Sequence, residues 1–140
     1  MKCAISGSFK KFYAEICQAY EIFEQNGISV LSPRKSTVVN PAEEFVILAS
    51  DGVDASIKQI EDRHLEAISE SDFLYLVNPR GYVGSSAAFE MGYAIDRNKR
   101  VYSLCKIEDM MLREYVTMVW TPWEVLSSLR HPYPCGTTGI

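Results

Sequence analysis

Apolar and polar positions alternate along this chain in a way that predicts strands and helices in turn. The short apolar run Cys3-Ala4-Ile5 ends at Ser6-Gly7-Ser8, which predicts a strand followed by a turn. The next apolar residues recur at the spacing of one helix face: Phe12, Ile16, Ala19 and Phe23. Asn26-Gly27 is a favoured helix end, and residues 28–31 predict a second strand.

The same alternation continues after an irregular polar stretch over residues 34–55. A second helix is predicted from the positions on its apolar face: Ile57, Ile60, His64, Leu65 and Ile68. Residues 73–77 are apolar throughout, which is typical of a strand buried on both faces. A loop over 78–85, a helix over 86–97 and a strand over 101–104 follow. Residues 115–129 predict one or two helices, and residues 131–140 predict an irregular tail.

Strands that alternate with helices favour a single α/β domain over residues 1–140. The expected architecture is a flavodoxin-like three-layer sandwich with a mostly parallel sheet of four to five strands. In such sheets ligands bind at the carboxyl ends of the strands, where the strand order reverses. We therefore expect the loops over residues 6–11 and 78–86 to meet at one site.

Charge and composition exclude several classes of function. The net charge is −4, from 14 Lys and Arg against 18 Asp and Glu, and no basic stripe is present, so nucleic-acid binding is not expected. No apolar run approaches the ~20 residues of a membrane span. The polar start and the absence of a Cys-x-x-Cys pair indicate a reduced cytoplasmic protein. Walker A and Gly-x-Gly-x-x-Gly motifs are absent, which argues against ATP hydrolysis and NAD-dependent redox chemistry. No His lies close enough to the cysteines to complete a zinc site, so no metal is expected.

Glu90 is the most informative single residue. Its neighbours three and four positions away on the predicted helix are uncharged: Ser86, Ala87, Tyr93 and Ala94. A carboxylate in an apolar cleft can serve as a nucleophile or a general base. The alternative is a carboxylate near a helix start, stabilised by the helix dipole by ~0.3–1 kcal/mol.

Two Gly- and Ser-rich segments are candidates for holding a ligand. Gly84-Ser85-Ser86 offers backbone N–H groups and hydroxyls at a helix start, which suits an anion such as phosphate; a plain N-cap is the alternative. Ser6-Gly7-Ser8 lets a ligand approach the backbone, with Lys10 or Lys11 placed to meet a phosphate. Its alternative is an N-cap followed by solvated lysines.

His64 lies on the apolar face of the second helix, where it is either a proton-transfer group or a residue at the edge of the core. Glu61 and Asp62 are close in sequence and could take over a proton-transfer role. Asp72 opens the third strand at its amino end, away from the expected ligand edge, and we interpret it as structural.

Three stretches together resemble the nucleoside 2-deoxyribosyltransferase superfamily, which includes the nucleoside 5′-monophosphate N-glycosidases. They are Ile5-Ser6-Gly7-Ser8, residues 60–72 (IEDRHLEAISESD) and residues 81–94 (GYVGSSAAFEMGYA). The resemblance covers residues 3–104, and its most specific part is Gly-x-x-Gly-Ser-Ser followed by Glu-x-Gly-Tyr-Ala.

The resemblance implies a flavodoxin-like fold that cleaves or transfers an N-glycosidic bond of a nucleoside or nucleoside 5′-monophosphate. Glu90 would attack the anomeric carbon to form a glycosyl-enzyme, and His64 stands where the family has its proton-donating Asp. The resemblance also implies a homodimer or higher homo-oligomer without cofactor. The substrate-binding candidates are Ser6, Gly7, Ser8, Lys10, Asn78, Tyr82, Gly84, Ser85 and Ser86.

Departures from the family keep other functions open. His64 replaces the usual Asp, Gly84 stands where transferases often have an Asp, and the first strand lacks a Tyr that orients the nucleophile. A catalytically silent nucleotide-binding module is therefore an alternative. An interaction domain that uses residues 34–55 and the aromatic segment 115–123 is another, and that segment is either interface or core. The acceptor, the sugar and the base stay open, and residues 34–55 are expected to contribute to base choice.

Overall fold

The computed structural model describes residues 1–34 and 56–130. The predictions for residues 35–55 and for the tail at 131–140 lie outside the described residues. The described elements follow in chain order: β1 Lys2–Ser6, α1 Phe9–Gln25, β2 Ser29–Ser32, α2 Ile57–Glu70, β3 Phe73–Leu76, α3 Ser85–Asp96, β4 Arg100–Ser103, α4 Met110–Arg113, β5 Met118–Val119 and α5 Pro122–Arg130.

The five strands form one parallel sheet in the order β2-β1-β3-β4-β5. This order and the helices on both faces confirm the predicted α/β, flavodoxin-like three-layer arrangement. β1 pairs with β2 on one side and with β3 on the other, so the strand order reverses at β1. The carboxyl end of β1 is therefore the point where a ligand is expected to bind.

Two apolar layers hold the helices to the sheet. Phe73 and Tyr75 of β3 point into a layer formed with α1 and α5, in which Phe23 and Val125 are buried. The other face of β3 carries Leu74 and Leu76, which pack with α2 and α3. Because both faces of β3 are covered, the strand has no polar alternation, as its sequence predicted.

The caps of α1 and α2 agree with their local sequence, but one residue of the apolar face predicted for α2 is exposed. Ser8 caps α1, and its hydroxyl accepts a hydrogen bond from the backbone N–H of Lys11. Ser56 and Gln59 form a reciprocal capping box at α2. Ile57 is 84% exposed, so its predicted place on the apolar face of α2 is wrong. It lies directly after the cap, and that helix face becomes buried only towards Ile68.

The helices predicted over 115–129 are confirmed only in part: α5 is a helix, but the residues before it are not helical. Residues Met118–Val119 form the edge strand β5, which pairs with β4. Trp120 is partly buried and packs against the core: its ring stacks on Tyr102, and its carbonyl oxygen accepts a hydrogen bond from the Tyr75 hydroxyl. Val116 is partly buried against the layer on the other face of the sheet. Four large apolar side chains of this segment are exposed: Tyr115, Met118, Val119 and Trp123. Core packing therefore accounts for only part of this aromatic segment.

Asp72 lies at the amino end of β3, where its carboxylate accepts a hydrogen bond from the backbone N–H of Lys2 at 2.8 Å. This contact ties β1 to β3 and agrees with the structural role predicted for Asp72. Within residues 1–34 and 56–130, none of the helices has the length and apolar character needed to cross a membrane.

Candidate active site

A cavity of about 290 Å³ lies at the carboxyl ends of β1 and β2, against one side of α2. Its size is at the lower end of the range for small-molecule sites, ~300–1,000 Å³. Residues from five elements, β1, α1, β2, α2 and α3, and from the segments after the two strands line it: Ile5, Ser6, Gly7, Phe9, Leu31, Ser32, Pro33, Arg34, Ile60, Glu61, Arg63, His64 and Glu90. Four predicted site residues, Ser6, Gly7, His64 and Glu90, are therefore brought together.

The two loops expected to converge do meet. The ammonium of Lys11 lies 4.0 Å from the ring centroid of Tyr82, and the Phe12 and Tyr82 rings pack edge to face. A Cβ at Gly7 would lie only 2.8 Å from the carbonyl oxygen of Val77, so this approach requires glycine. The cavity opens on the other side of β1, however, and its second wall comes from β2 and α2 instead of residues 78–86.

Glu90 projects from α3 into this cavity and is only 6% exposed. Burial by itself raises the pKa of a carboxyl group. Hydrogen bonds from His64, Glu61 and Ser6 and the electrostatic attraction of His64 outweigh that effect, and the pKa of Glu90 is lowered. Glu90 is therefore a carboxylate at neutral pH although it is buried.

His64 is held by hydrogen bonds at both ring nitrogens. Nδ1 lies 2.5 Å from Oγ of Ser32, and Nε2 lies 3.2 Å from Oγ of Ser6. Nε2 is also 3.3 Å from Oε1 of Glu90. A proton on Nε2 is therefore shared between Glu90 and Ser6, and the ring is fixed from the ends of β1 and β2 at once.

Glu61 is the second carboxyl group of the cavity and lies one helical turn before His64. Burial, a hydrogen bond with Glu90, and the negative charges of Glu90 and Asp62 raise the pKa of Glu61 to about 8. Glu61 is thus largely protonated at neutral pH and donates a hydrogen bond to the Glu90 carboxylate. Two carboxyl groups with pKa values pushed in opposite directions are the arrangement that separates an acid from a base.

Three of the predicted binding residues have structural roles in the fold. Asn78 is buried, and its side-chain amide bonds both the carbonyl oxygen and the N–H of Cys105 at 2.8 and 3.0 Å. Ser8 is the cap of α1. Tyr82 packs against Phe12, and a Cβ at Gly84 would meet its hydroxyl at 3.3 Å. None of these three lines the described cavity.

The remaining predicted residues lie outside the described cavity and close to solvent. Lys10 is exposed on the first turn of α1. Gly84 is the N-cap residue of α3 and provides no side-chain cap, and Ser85 and Ser86 are exposed in the first turn. The start of α3 therefore presents backbone N–H groups one turn before Glu90.

Sequence reasoning did not select Ser32, Arg34 or Arg63, all of which line the cavity. Ser32-Pro33-Arg34 follows β2 as Ser6-Gly7-Ser8 follows β1, so the carboxyl-end rule applied to the second strand would have found the first two. Arg34 and Arg63 bring two positively charged side chains to the same cavity that contains the carboxyl groups of Glu61 and Glu90. Within the described residues, no group of three His, Cys, Asp or Glu side chains is arranged to hold a metal ion.

No protein-family model matches this chain, and no curated protein matches it. Solved structures do match it, among them the CMP N-glycosidase BcmB of Clostridium botulinum, with a TM-score of 0.57 and 14% sequence identity. The alignment covers 93% of this chain and 98% of that one. At this level of identity, the likeness shows that the two chains share a fold over nearly their whole length.

Proposed function

We propose that this protein cleaves the N-glycosidic bond of a nucleoside or nucleoside 5′-monophosphate, with Glu90 as the nucleophile. The observation that carries the proposal is the environment of Glu90: a buried, ionised carboxylate on the wall of a cavity, hydrogen-bonded to a second carboxyl group that retains its proton. A charged nucleophile and a protonated acid side by side are what glycosidic cleavage requires.

The electrostatics suit the transition state of this reaction. The anomeric carbon develops positive charge as the base departs, and a nearby carboxylate stabilises that charge. Glu90 is already desolvated, so little water has to be displaced from it before it attacks. Hydrogen bonds from Ser6 and His64 hold its oxygens in place. The product of the attack would be a glycosyl-Glu90 ester, which water or a second base then resolves.

Two features favour a nucleoside monophosphate and water as the substrates. Arg34 and Arg63 provide positive charge at the cavity, and Ser85 and Ser86 lie at the N-terminal end of α3 on the helix that carries Glu90. Either group suits a 5′-phosphate. The structural neighbour BcmB is a CMP N-glycosidase, and this supports hydrolysis over transfer.

The test is a mass-spectrometric screen for free base. Wild-type protein is incubated with nucleosides and 5′-monophosphates of both ribose and 2′-deoxyribose, with and without an added acceptor base. Glu90→Gln is run beside it, with Glu66→Gln, an exposed glutamate on α2, as the matched control. We expect free base from a monophosphate without acceptor, lost in Glu90→Gln and kept in Glu66→Gln.

The other outcomes of this screen are equally specific. Base exchange only in the presence of an acceptor would indicate a transferase. Nucleotide binding measured by calorimetry, with no Glu90-dependent release of base, would overturn the proposal in favour of a silent binding module.

A further inference from the structure

The cavity contains an acidic proton that the family resemblance does not account for, since the resemblance places the proton donor at the position of His64. It belongs to the hydrogen bond between Glu61 of α2 and Glu90 of α3. Both side chains line the same cavity, so a substrate whose anomeric carbon meets Glu90 also lies beside Glu61. The two carboxyl groups come from different helices, and only the packing of α2 on α3 brings them together.

One oxygen of Glu61 has no partner within the described part of the chain. Oε2 is shielded from solvent and makes no hydrogen bond there. A buried polar atom without a partner is destabilising, and such atoms are rare unless a ligand or a function accounts for them. The other oxygen of Glu61 carries the proton that bonds Glu90, so this oxygen is an acceptor. Since Glu61 lines the cavity, a hydrogen-bond donor on a bound molecule is the partner that would satisfy it.

His64 is less well placed to protonate a leaving group. Its Nδ1 is engaged by Ser32, and its Nε2 is engaged by both Ser6 and Glu90. Donation from either nitrogen would break a contact that fixes the ring. Its position instead suits the task of holding Glu90 ionised and oriented.

We propose that Glu61 protonates the departing base and then removes a proton from the incoming water, a role that rests on the N-glycosidase function proposed above. In the first step Glu90 forms an O–C1′ bond and the C1′–N bond breaks. The bond electrons go to the base nitrogen, which takes the proton of Glu61. In the second step water attacks C1′, its proton passes to Glu61, and the ester bond to Glu90 breaks, which restores both groups.

The charge of Glu90 changes during the reaction, and this change controls when Glu61 gives up its proton. Among the described residues, the charged and titratable groups around Glu61 are Glu90 from α3, Arg34 after β2, and Asp62, Arg63 and His64 on its own helix. Once Glu90 becomes a neutral ester, its charge and its capacity as a hydrogen-bond acceptor fall together. Glu61 then becomes a stronger acid as the leaving group needs its proton, and it is a free carboxylate when water arrives.

The test compares Glu61→Gln with Glu66→Gln, using CMP or whichever substrate the base-release screen identifies. Gln keeps the shape and a hydrogen bond to Glu90 but has no transferable proton. We expect kcat/KM for base release to fall by about 100-fold or more in Glu61→Gln and to stay within about threefold in Glu66→Gln. The wild-type rate should decline above about pH 8, where Glu61 loses its proton. That decline should be absent from Glu61→Gln.

A substrate whose leaving group needs no proton separates acid catalysis from a structural effect. Nicotinamide mononucleotide is such a substrate, since its pyridinium leaves as neutral nicotinamide. If wild type accepts it, Glu61→Gln should release nicotinamide in the first turnover nearly as fast as wild type and then turn over slowly, because the second step lacks its base. If wild type does not accept this substrate, the pH dependence of base release distinguishes acid catalysis by Glu61 from a structural effect.

Two results would overturn this assignment while leaving the proposed function intact. One is base release that is lost in Glu90→Gln, while kcat/KM of Glu61→Gln stays within threefold of wild type. The other is a Glu61→Gln variant that keeps the decline above pH 8. A wild-type protein that releases base from no substrate would instead overturn the proposed function, and the role of Glu61 would fall with it.

Discussion

Replacing Glu61 with Gln should change how the stability of this protein depends on pH. Burial, the hydrogen bond with Glu90 and the charges of Glu90 and Asp62 raise the pKa of Glu61 from 4.5 to about 8 in the folded protein. The unfolded chain loses this proton near the ordinary value. Between the two pH values the folded state binds a proton that the unfolded state does not, so the free energy of unfolding falls as pH rises.

The size of this effect follows from the same difference. A rise from 4.5 to about 8 would correspond to about 5 kcal/mol at ~1.4 kcal/mol per pH unit. Glu61 is only partly buried, so solvent screening lowers this figure, and we expect about 2 kcal/mol. Gln does not titrate. The variant should therefore be close to wild type near pH 5 and more stable than wild type by about 2 kcal/mol near pH 8.

Urea unfolding followed by circular dichroism at intervals from pH 5 to pH 8 measures this difference. Glu66→Gln is the control, because it removes an exposed glutamate from the same helix and should show no comparable trend. A difference between Glu61→Gln and wild type that stays constant over this range would refute the reasoning, since Glu61 would then have the same pKa in both states.

Three further substitutions test other contacts of the site. His64→Ala should raise the pKa of Glu90, because burial is then opposed by fewer hydrogen bonds; the acidic limb of the kcat/KM profile should move to higher pH. Gly7→Ala should destabilise the fold by ~1–3 kcal/mol in urea unfolding, because its Cβ would lie 2.8 Å from a backbone carbonyl oxygen. Asn78→Ala should cost ~2–3 kcal/mol, because the backbone N–H and carbonyl of Cys105 lose their partners, while KM for substrate stays the same.

Much of the fold could be predicted from the sequence because its central elements have strong local patterns. β3 is apolar on both faces, and α1 has its apolar residues at helical spacing, so their types follow from burial alone. β5 was missed because it has only two residues, too few to show any period, and both are exposed. Its pairing with β4 provides the evidence that the sequence lacks.

The candidate site was only partly predictable for a related reason. The uncharged neighbours of Glu90 identified a buried carboxylate, and the carboxyl-end rule identified Ser6. The hydrogen bond between Glu61 and Glu90 joins residues on two helices, and no local spacing encodes it. The loop after β3 looked like a binding loop, but Asn78 turns inward to bind backbone groups, and the cavity lies towards β2 instead.

The configuration of the product tests the central claim most directly, because attack by Glu90 followed by attack on a glycosyl-Glu90 ester inverts the anomeric carbon twice. The substrate that the screen identifies, a β-nucleotide such as CMP, is turned over in dilute methanol, and the methyl glycoside is analysed by NMR, since it does not interconvert as the free sugar does. The account predicts the methyl β-glycoside. The α-glycoside would show a single displacement and would contradict a covalent role for Glu90.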